Sequence, residues 1–398
     1  MNQEQTVKKG GMGLLPKIVI AIILGIVCGL FFPTPLVRGF MVINAIFGNF
    51  LSFIIPLLIV GLIAPGIADL GNRAGRLLVI TIAVAYFSTL SFGFLTYLIC
   101  SLAYPHMLAS GSMNTSVDAG SGLAAYFSIP MPPVLGVTSA LILAFVLGFG
   151  LSAIKGVTLK KSLEDFRDII YKVITKVIIP LLPLYIFTIF LNITADGKIG
   201  SILAIFLKII VFIFALTIIL MIIEFIIAGA IAKKSPFAVL KTMLPAYATA
   251  LGTSSSAATI PVTYAQAVKT GVHSELAGFV VPLCATIHMP GSITKIVACS
   301  LAIIFTTGMD ISFVQFAGFI FMLGISMVAA PGVPGGAIMA AIGVLASMLG
   351  FNETAQALMI ALYIVMDSFG TATNVTCDGA VATIINKIYD MDGSTDKA

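Results

Sequence analysis

The sequence predicts an all-α polytopic membrane protein with about eight transmembrane helices and two re-entrant helical hairpins. Its 398 residues are 59% hydrophobic and only 9% charged, whereas a soluble domain carries about 25% charged residues. Apolar stretches long enough to cross a hydrocarbon core of about 30 Å recur along the whole chain. After residue 232 these stretches are interrupted by clusters of Gly, Ser and Pro, and such irregular backbone at membrane depth must be covered by protein or line a cavity.

Six uninterrupted apolar segments come first and predict ordinary spans. They cover residues 14–32, 40–68, 76–104, 136–154, 166–193 and 200–232. Lysines and arginines concentrate in alternate loops between them, and cytoplasmic loops carry the excess of these residues. We therefore expect a cytoplasmic N-terminal tail at 1–12, a retained first span, and a six-span region over 13–232. Both chain termini are expected on the cytoplasmic side of the cell's inner or plasma membrane.

The remaining residues, 233–389, are predicted to form a transport core built from interrupted segments. Its parts are a first hairpin (235–271), a broken helix (275–307), a second hairpin (311–350) and a polar helix (353–387), before a C-terminal tail at 390–398. The order of hairpin, helix, hairpin, helix is a weak internal repeat. Paired interrupted segments in corresponding positions indicate the midplane site of a secondary transporter with inverted repeats.

A polar stripe marks the last helix. Asp367, Thr371, Asn374 and Asp378 follow one another at helical spacing, and eleven residues bring a helix back to nearly the same face. A carboxylate at mid-bilayer costs at least about 2.5–3.5 kcal/mol. We therefore expect the two aspartates to meet a cation, an ammonium group, or each other through water, and not lipid.

The sequence allows more than one role for each of three further polar residues. His288 in the broken helix is compatible with a proton relay or with a neutral histidine satisfied by hydrogen bonds. Glu224 is expected to face the cytoplasmic end of its span or another helix, and we leave it outside the site. Lys295 could neutralise an anion or, because it lies beyond the helix break, extend its ammonium to the membrane interface. The five scattered cysteines have no metal spacing, so neither a disulfide framework, a zinc site nor any other cofactor is expected.

Three motifs together resemble the glutamate transporter family, the dicarboxylate/amino acid:cation symporters, in a neutral amino acid-type or divergent form. The motifs are the Ser254–Thr263 run, the Gly332–Gly336 tip and the Asp367–Asp378 stripe. The order of elements agrees over nearly the whole chain. The resemblance implies a homotrimer in lipid, with the early spans as a scaffold that carries the trimer contacts and spans three and six packing against the transport core. The core would then move as an elevator.

The resemblance also implies roles for individual residues. Asp367 corresponds to the group that binds the substrate's α-amino group, and Asn374 and Ser256 to groups that hold its α-carboxylate. The rest of the implied pocket is Thr371, Gly370, Ser254 and Ser255, with Val333, Pro334 and Gly335 as the extracellular gate. The implied sodium ligands are Asp378, Asn374, Cys284, Thr286, His288, Tyr86 and Thr89.

Two departures from the family pattern change these expectations. Acidic-substrate members carry an arginine where this chain has Gly370, and no arginine follows Arg167. A substrate's side-chain carboxylate is poorly held without the paired N–H donors of a guanidinium, so we expect a neutral amino acid. The space at Gly370 allows a substrate larger than alanine. The family's Asn-Met-Asp-Gly-Thr motif reads His288-Met289-Pro290-Gly291-Ser292 here. This change removes oxygen ligands from one sodium site and leaves sodium and proton coupling both open, with sodium favoured.

The function predicted is therefore cation-coupled uptake of a small neutral amino acid by secondary active transport. A proton-coupled carrier, an uncoupled carrier and an acidic amino acid or dicarboxylate symporter are the alternatives. An ion channel is the candidate from another class, and it would not accumulate solute. No nucleotide-binding motif or nucleic-acid partner is indicated. An intramembrane aspartyl protease is disfavoured because its two aspartates should come from different helices, so we predict no enzyme activity.

Overall fold

The computed structural model describes residues 14–71, 76–111, 123–154, 156–195, 197, 199–328, 330 and 334–391. Across these ranges the regular structure is helical and contains no strand. The chain thus has the all-helical character that its composition predicts.

The first half of the fold consists of long apolar helices. They are α1 (Leu14–Phe31), α2 (Thr34–Gly71), α3 (Arg76–Met107), α4 (Val137–Ile154), α5 (Val157–Val173), α6 (Ile179–Ala195) and α7 (Ile199–Ala232). A π-helical turn at Ile174–Ile178 joins α5 to α6 without a break. Two predicted boundaries are wrong. The helix of the second span begins at 34 and not at 40, and the helix that leads into the fifth span begins at 157 and not at 166.

The second half consists of shorter helices in pairs. They are α8 (Pro236–Thr253), α9 (Ser256–Lys269), α10 (Ser274–Ile287), α11 (Pro290–Thr307), α12 (Phe313–Val328), α13 (Gly336–Leu349), α14 (Glu353–Val365) and α15 (Asp367–Met391). Helix α8 packs against α9 and α12 against α13. Helix α15 lies at the centre of this half and packs against α7, α8, α9, α10 and α11.

The predicted polar helix is two helices. Helices α14 and α15 meet at Met366 with a bend of 62°. No Gly or Pro stands at the bend, so the local sequence gives no sign of it. A long-range contact lies at the bend, where Lys295 Nζ donates to the Met366 carbonyl at 3.3 Å. The same carbonyl also accepts the helical hydrogen bond of the Gly370 N–H at 3.1 Å.

Length and composition qualify five helical stretches of the described chain as membrane spans. They are Thr34–Pro65, Arg76–Met107, Val157–Ala195, Leu203–Ala232 and Ser274–Thr307, and the bent pair of α14 and α15 would be a sixth. Helices α1 and α4 are apolar but shorter. The protein is therefore a multi-pass membrane protein, whereas the count of eight spans stays a prediction.

Candidate functional site

Two turns between paired helices meet at the first turn of α15. Asp367 begins that helix and is only 7% exposed. Its Oδ2 accepts a hydrogen bond of 2.7 Å from the Gly335 N–H, in the turn before α13. Ser254 Oγ, in the turn between α8 and α9, lies 2.6 Å from Ser368 Oγ. The two turns that the sequence marks as hairpin tips thus meet at the two adjacent residues that begin α15, Asp367 and Ser368.

Unusual backbone conformations position both turns. Ser254 ends α8 at φ 50°, and Gly335 precedes α13 at φ 75°. Glycine adopts this left-handed region without strain, whereas serine pays a small steric penalty there. The N–H of Gly335 belongs to the first turn of α13, where unpaired amides and the helix dipole favour a negative charge. The Asp367 carboxylate therefore sits at the positive end of a second helix.

Lys295 is fully enclosed beside Asp367. It lies on α11 and is 1% exposed, with Nζ 3.5 Å from Asp367 Oδ1 and 3.9 Å from the centre of the Tyr363 ring. Of the two expectations for Lys295, the ammonium neutralises an anion, Asp367, and does not reach the membrane interface. The enclosing partners explain the difference, because the carboxylate, the ring face and the carbonyl end of α14 all favour a positive charge. We call Asp367, Lys295, Gly335, Tyr363 and Gly370 the aspartate–lysine centre.

Gly370 makes this arrangement possible. A Cβ on Gly370 would overlap Nζ and Cε of Lys295. The missing side chain thus leaves room for a lysine from another helix, and the expectation that this space is open to a larger substrate is wrong. Gly291 serves the same crossing, since a Cβ there would lie 2.5 Å from the Gly370 carbonyl oxygen. Two glycines therefore allow α11 and α15 to approach closely.

A second buried group of polar side chains crosses the break between α10 and α11. His288 Nδ1 lies 3.0 Å from Asp378 Oδ1, and His288 Nε2 lies 3.0 Å from Ser88 Oγ. Ser88 Oγ donates in turn to Glu224 Oε1 at 2.7 Å. His288, Asp378 and Glu224 are all 5% exposed or less. We call these four residues, contributed by α3, α7, α15 and the helix break, the buried polar chain.

Hydrogen counting gives the smallest number of hydrogens in the buried polar chain. Its three hydrogen bonds need three hydrogens, and the Ser88 hydroxyl supplies one. The other two must be shared among one imidazole and two carboxyl groups. With only these two hydrogens the group carries one net negative charge, as in an imidazolium between two carboxylates, and a further hydrogen on either carboxyl group makes it neutral. Glu224 Oε2 and Asp378 Oδ2 are buried without a hydrogen-bond partner, so either oxygen is a place for that proton or for a monovalent cation.

Asn374 has a structural task that the sequence does not reveal. Its Oδ1 accepts from the Gly291 N–H at 2.8 Å and the Ser292 N–H at 3.3 Å, and its Nδ2 donates to Ser292 Oγ at 3.1 Å. Tyr363 also donates to Ser292 Oγ, at 3.1 Å. Asn374 thus satisfies the free amides at the start of α11, in the manner of a capping residue.

The other predicted pocket residues take different positions. Thr371 is buried and donates to the Asp367 carbonyl of its own helix at 3.0 Å. Ser255 caps α9 by accepting from the Ala258 N–H, and Ser256 is buried as the first residue of that helix. Pro334 lies half-buried in the turn before α13. Val333 lies outside the described residues.

The other predicted sodium ligands do not converge through their side chains. Tyr86 donates to the Phe321 carbonyl at 3.2 Å, and Thr286 is exposed and bonds its own helix. Thr89 accepts from the Met289 N–H at 3.3 Å, beside the helix break. Cys284 is buried, and its carbonyl accepts from the His288 N–H. Within the described ranges, no three His, Cys, Asp or Glu side chains are arranged to hold a metal ion, and a sodium site here stays a prediction.

Several residues around Asp367 and Asp378 are not assigned to a site from the sequence. Glu224 carries a usable signal, because an ionisable residue inside an apolar span is a functional candidate by default. Lys295 carries the same signal, but the sequence leaves its place open between an anion and the interface. Ser88 and Ser368 carried none, since isolated serines are ordinary in membrane helices. Their roles depend on contacts between distant parts of the chain.

Comparison with known proteins agrees with these features. The model of the sodium:dicarboxylate symporter family matches residues 14–388. The chain is also 28% identical over 384 residues to the serine/threonine transporter SstT of Acinetobacter baumannii strain AYE, which covers 92% of this chain and 94% of that protein. The protein of the same name in strain AB0057 matches with the same identity and coverage. The names of the family and of these relatives indicate a membrane transporter and not an enzyme. The chain belongs to the sodium:dicarboxylate symporter family.

Proposed function

We propose that the protein takes up a small neutral amino acid together with a cation, with sodium favoured over the proton. The observation that carries this proposal is the position of Asp367. Its buried carboxylate lies where the turns at Ser254 and Gly335 converge. A carboxylate in such a place favours an ammonium partner, and the substrate's α-amino group is one.

Two features support a neutral substrate. No arginine follows Arg167 in the sequence, so no guanidinium fork is available around Asp367 for a side-chain carboxylate. The relative from Acinetobacter baumannii is named a serine/threonine transporter. We therefore place serine and threonine first among the candidate substrates.

An acidic amino acid or a dicarboxylate is the second candidate, because of Lys295. Its ammonium occupies the space beside Gly370, where the resemblance implies the arginine of acidic-substrate members. The ammonium is already paired with Asp367, which weighs against a free anion site. Uptake measurements with aspartate and succinate separate the two candidates.

The buried polar chain is our proposed place for the coupling cation. One net negative charge and two unpartnered carboxylate oxygens, on Glu224 and Asp378, favour one monovalent cation. Carboxylate oxygens suit sodium, and a proton on either oxygen would balance the charge equally. The family name favours sodium.

We further propose a homotrimer in which α8–α15 move as an elevator past the earlier helices. In this mechanism the substrate enters beside Asp367, the turn before α13 closes over it, and the cation neutralises the group around Asp378. The helices of the moving part then pass inward together. Its support is the family membership and the shared packing of α15 with α8, α9, α10 and α11. Cross-linking of the purified protein in lipid to a ladder that ends at three subunits would test the assembly.

The first experiment measures uptake of radiolabelled serine, threonine, alanine, methionine, aspartate and succinate into proteoliposomes. Sodium and proton gradients are applied separately. Accumulation of a neutral amino acid under the sodium gradient supports the proposal. Accumulation under the proton gradient alone would keep the proposed substrate site and make the proton, in place of sodium, the coupling cation. Equilibration without accumulation under either gradient would show an uncoupled carrier or a channel, and the symporter proposal would fall.

A further inference from the structure

Both charges of the aspartate–lysine centre are satisfied by the protein itself. Asp367 uses Oδ1 for Lys295 and Oδ2 for the Gly335 N–H. Lys295 Nζ contacts that carboxylate and also donates to the carbonyl oxygens of Met366 at 3.3 Å and Asp367 at 3.5 Å. The group is therefore electrically neutral without any ligand.

The partners of Lys295 offer its ammonium a second position. The Met366 carbonyl and the Tyr363 ring, at 3.3 Å and 3.9 Å from Nζ, both attract a cation in the absence of a carboxylate. These two contacts would keep the ammonium stabilised at the end of α14 if it turned away from Asp367. A substrate ammonium would then pair with Asp367 in its place.

We infer that Lys295 is an internal counter-cation, whose ammonium replaces the substrate's ammonium at Asp367 whenever the site is empty. This inference rests on the proposed function, because it requires that Asp367 bind an amino group. Its consequence concerns the return of the empty carrier. Net uptake requires the empty site to cross the membrane region, whereas exchange of one substrate molecule for another does not.

The physical reason is the cost of a buried unpaired charge. A carboxylate that loses its partner in a low-dielectric interior is strongly destabilised. An empty carrier with an unpaired Asp367 would therefore return across the membrane slowly. Lys295 removes that barrier by keeping the empty site neutral. The wild-type carrier should therefore return empty without binding any alkali cation from the lumen at Asp367.

The experiment compares two assays in proteoliposomes, with rates expressed per folded protein. Net uptake is measured into empty vesicles and exchange into vesicles preloaded with unlabelled substrate. The labelled substrate is serine, or whichever compound the wild type accumulates in the first experiment. For Lys295→Met we expect net uptake to fall at least about tenfold while exchange is retained, since only the empty carrier has lost its counter-charge. The KM for exchange should fall as well, because a tethered competitor has been removed.

Lys241→Met is the matched control, as Lys241 is an exposed lysine on α8. It should leave both assays unchanged. Loss of net uptake and exchange together in Lys295→Met would show that the lysine holds the substrate or the fold, and would overturn the inference. Retention of both would overturn it equally. Neither result would touch the proposed function, which depends on the wild type.

A measurement on the wild type covers the case in which Lys295→Met does not fold. Net uptake is compared between vesicles filled with potassium, sodium or choline at equal osmolarity. Equal rates with choline and potassium are expected, because the counter-cation is part of the protein. A requirement for potassium or sodium in the lumen would overturn the inference. If the wild type accumulates no labelled compound at all, the proposed function falls, and the inference falls with it.

Discussion

The α-carbon of Gly370 faces the ammonium of Lys295 so closely that a Cβ on Gly370 would overlap Nζ and Cε. The two residues lie on different helices, α15 and α11, and are 75 positions apart in the sequence. Glycine at position 370 and lysine at position 295 therefore form one structural unit around Asp367. Replacing either residue alone must disturb the other.

Gly370→Ala should displace the Lys295 ammonium from Asp367. Overpacking of this kind destabilises by about 1–3 kcal/mol, and it also weakens the ion pair, so we expect a lower unfolding temperature and slower net uptake. Thermal unfolding in detergent and the empty-vesicle assay measure the two effects. Gly39→Ala is the control, because a Cβ there meets nothing within 4 Å. Equal behaviour of the two variants would contradict the packing described here.

Gly370→Arg alone should inactivate the protein, since the new side chain and Lys295 would compete for one space. Gly370→Arg combined with Lys295→Ala should restore that space and present a guanidinium beside the pocket. We expect this double variant to prefer aspartate over serine, because a guanidinium binds a carboxylate bidentately. Competition of unlabelled aspartate against labelled serine uptake measures the preference. An unchanged preference would mean that position 370 does not face the substrate.

Asp367→Asn should abolish transport and also destabilise the protein. It removes the substrate's ammonium partner, and a hydrogen bond to a charged group contributes about 1.5–3 kcal/mol, so uptake should fall at least about tenfold. It also leaves Lys295 unpaired, which costs about 3–5 kcal/mol for a buried pair. The double variant with Lys295→Met should recover most of the stability and none of the transport. Additive losses of stability in thermal unfolding would argue against a direct interaction between the two residues.

Glu224→Gln should weaken coupling to the cation. It removes the net negative charge from the buried polar chain but keeps a group that can hydrogen-bond to Ser88. We expect the cation concentration for half-maximal uptake to rise at least about tenfold, because a charged interaction of about 1.5–3 kcal/mol is lost. Titration of uptake with sodium, and separately with protons, gives this value. Ser88→Ala should show a smaller shift, and an unchanged titration in both variants would exclude the buried polar chain as the cation site.

Ser368→Ala tests the contact between the turn at Ser254 and the start of α15. The variant removes one member of the 2.6 Å pair of hydroxyls, and a neutral hydrogen bond contributes about 0.5–1.5 kcal/mol. We expect a rise of up to about tenfold in KM, with little change in unfolding temperature. Ser162→Ala is the control, because that hydroxyl bonds only the Thr158 carbonyl of its own exposed helix. A KM equal to that of the wild type would place the turn outside the pocket.

Much of this architecture follows from patterns within single segments. The apolar runs predict the long helices, and Pro290 after His288 and Met289 predicts the break before α11, since the residue before a proline disfavours the helical region. The Gly332–Gly336 and Asp367–Asp378 motifs predict the turn and the helix that contribute Gly335 and Asp367 to the aspartate–lysine centre. Each of these signals lies within one turn or one helix.

The rest depends on contacts between distant segments. Lys295 reaches the bend at Met366 from α11, and no Gly or Pro at the bend predicts it from the sequence. The capping role of Asn374 depends on the amides of Gly291 and Ser292. The motif that contains Asn374 gives no sign of these partners, because they lie on another helix. The sequence does not distinguish an interfacial from an interior Lys295, because its four-carbon stem fits both places. The missing Cβ of Gly370, on another helix, makes room for the ammonium in the interior.

The paired state of Asp367 also has a consequence for pharmacology. An inhibitor that carries an amino group must displace an ammonium that is covalently tethered to the protein, and tethering gives effective concentrations of about millimolar or higher. Screens against this transporter therefore understate the intrinsic fit of amine-bearing compounds. A compound that keeps the Asp367–Lys295 pair intact would avoid this competition altogether.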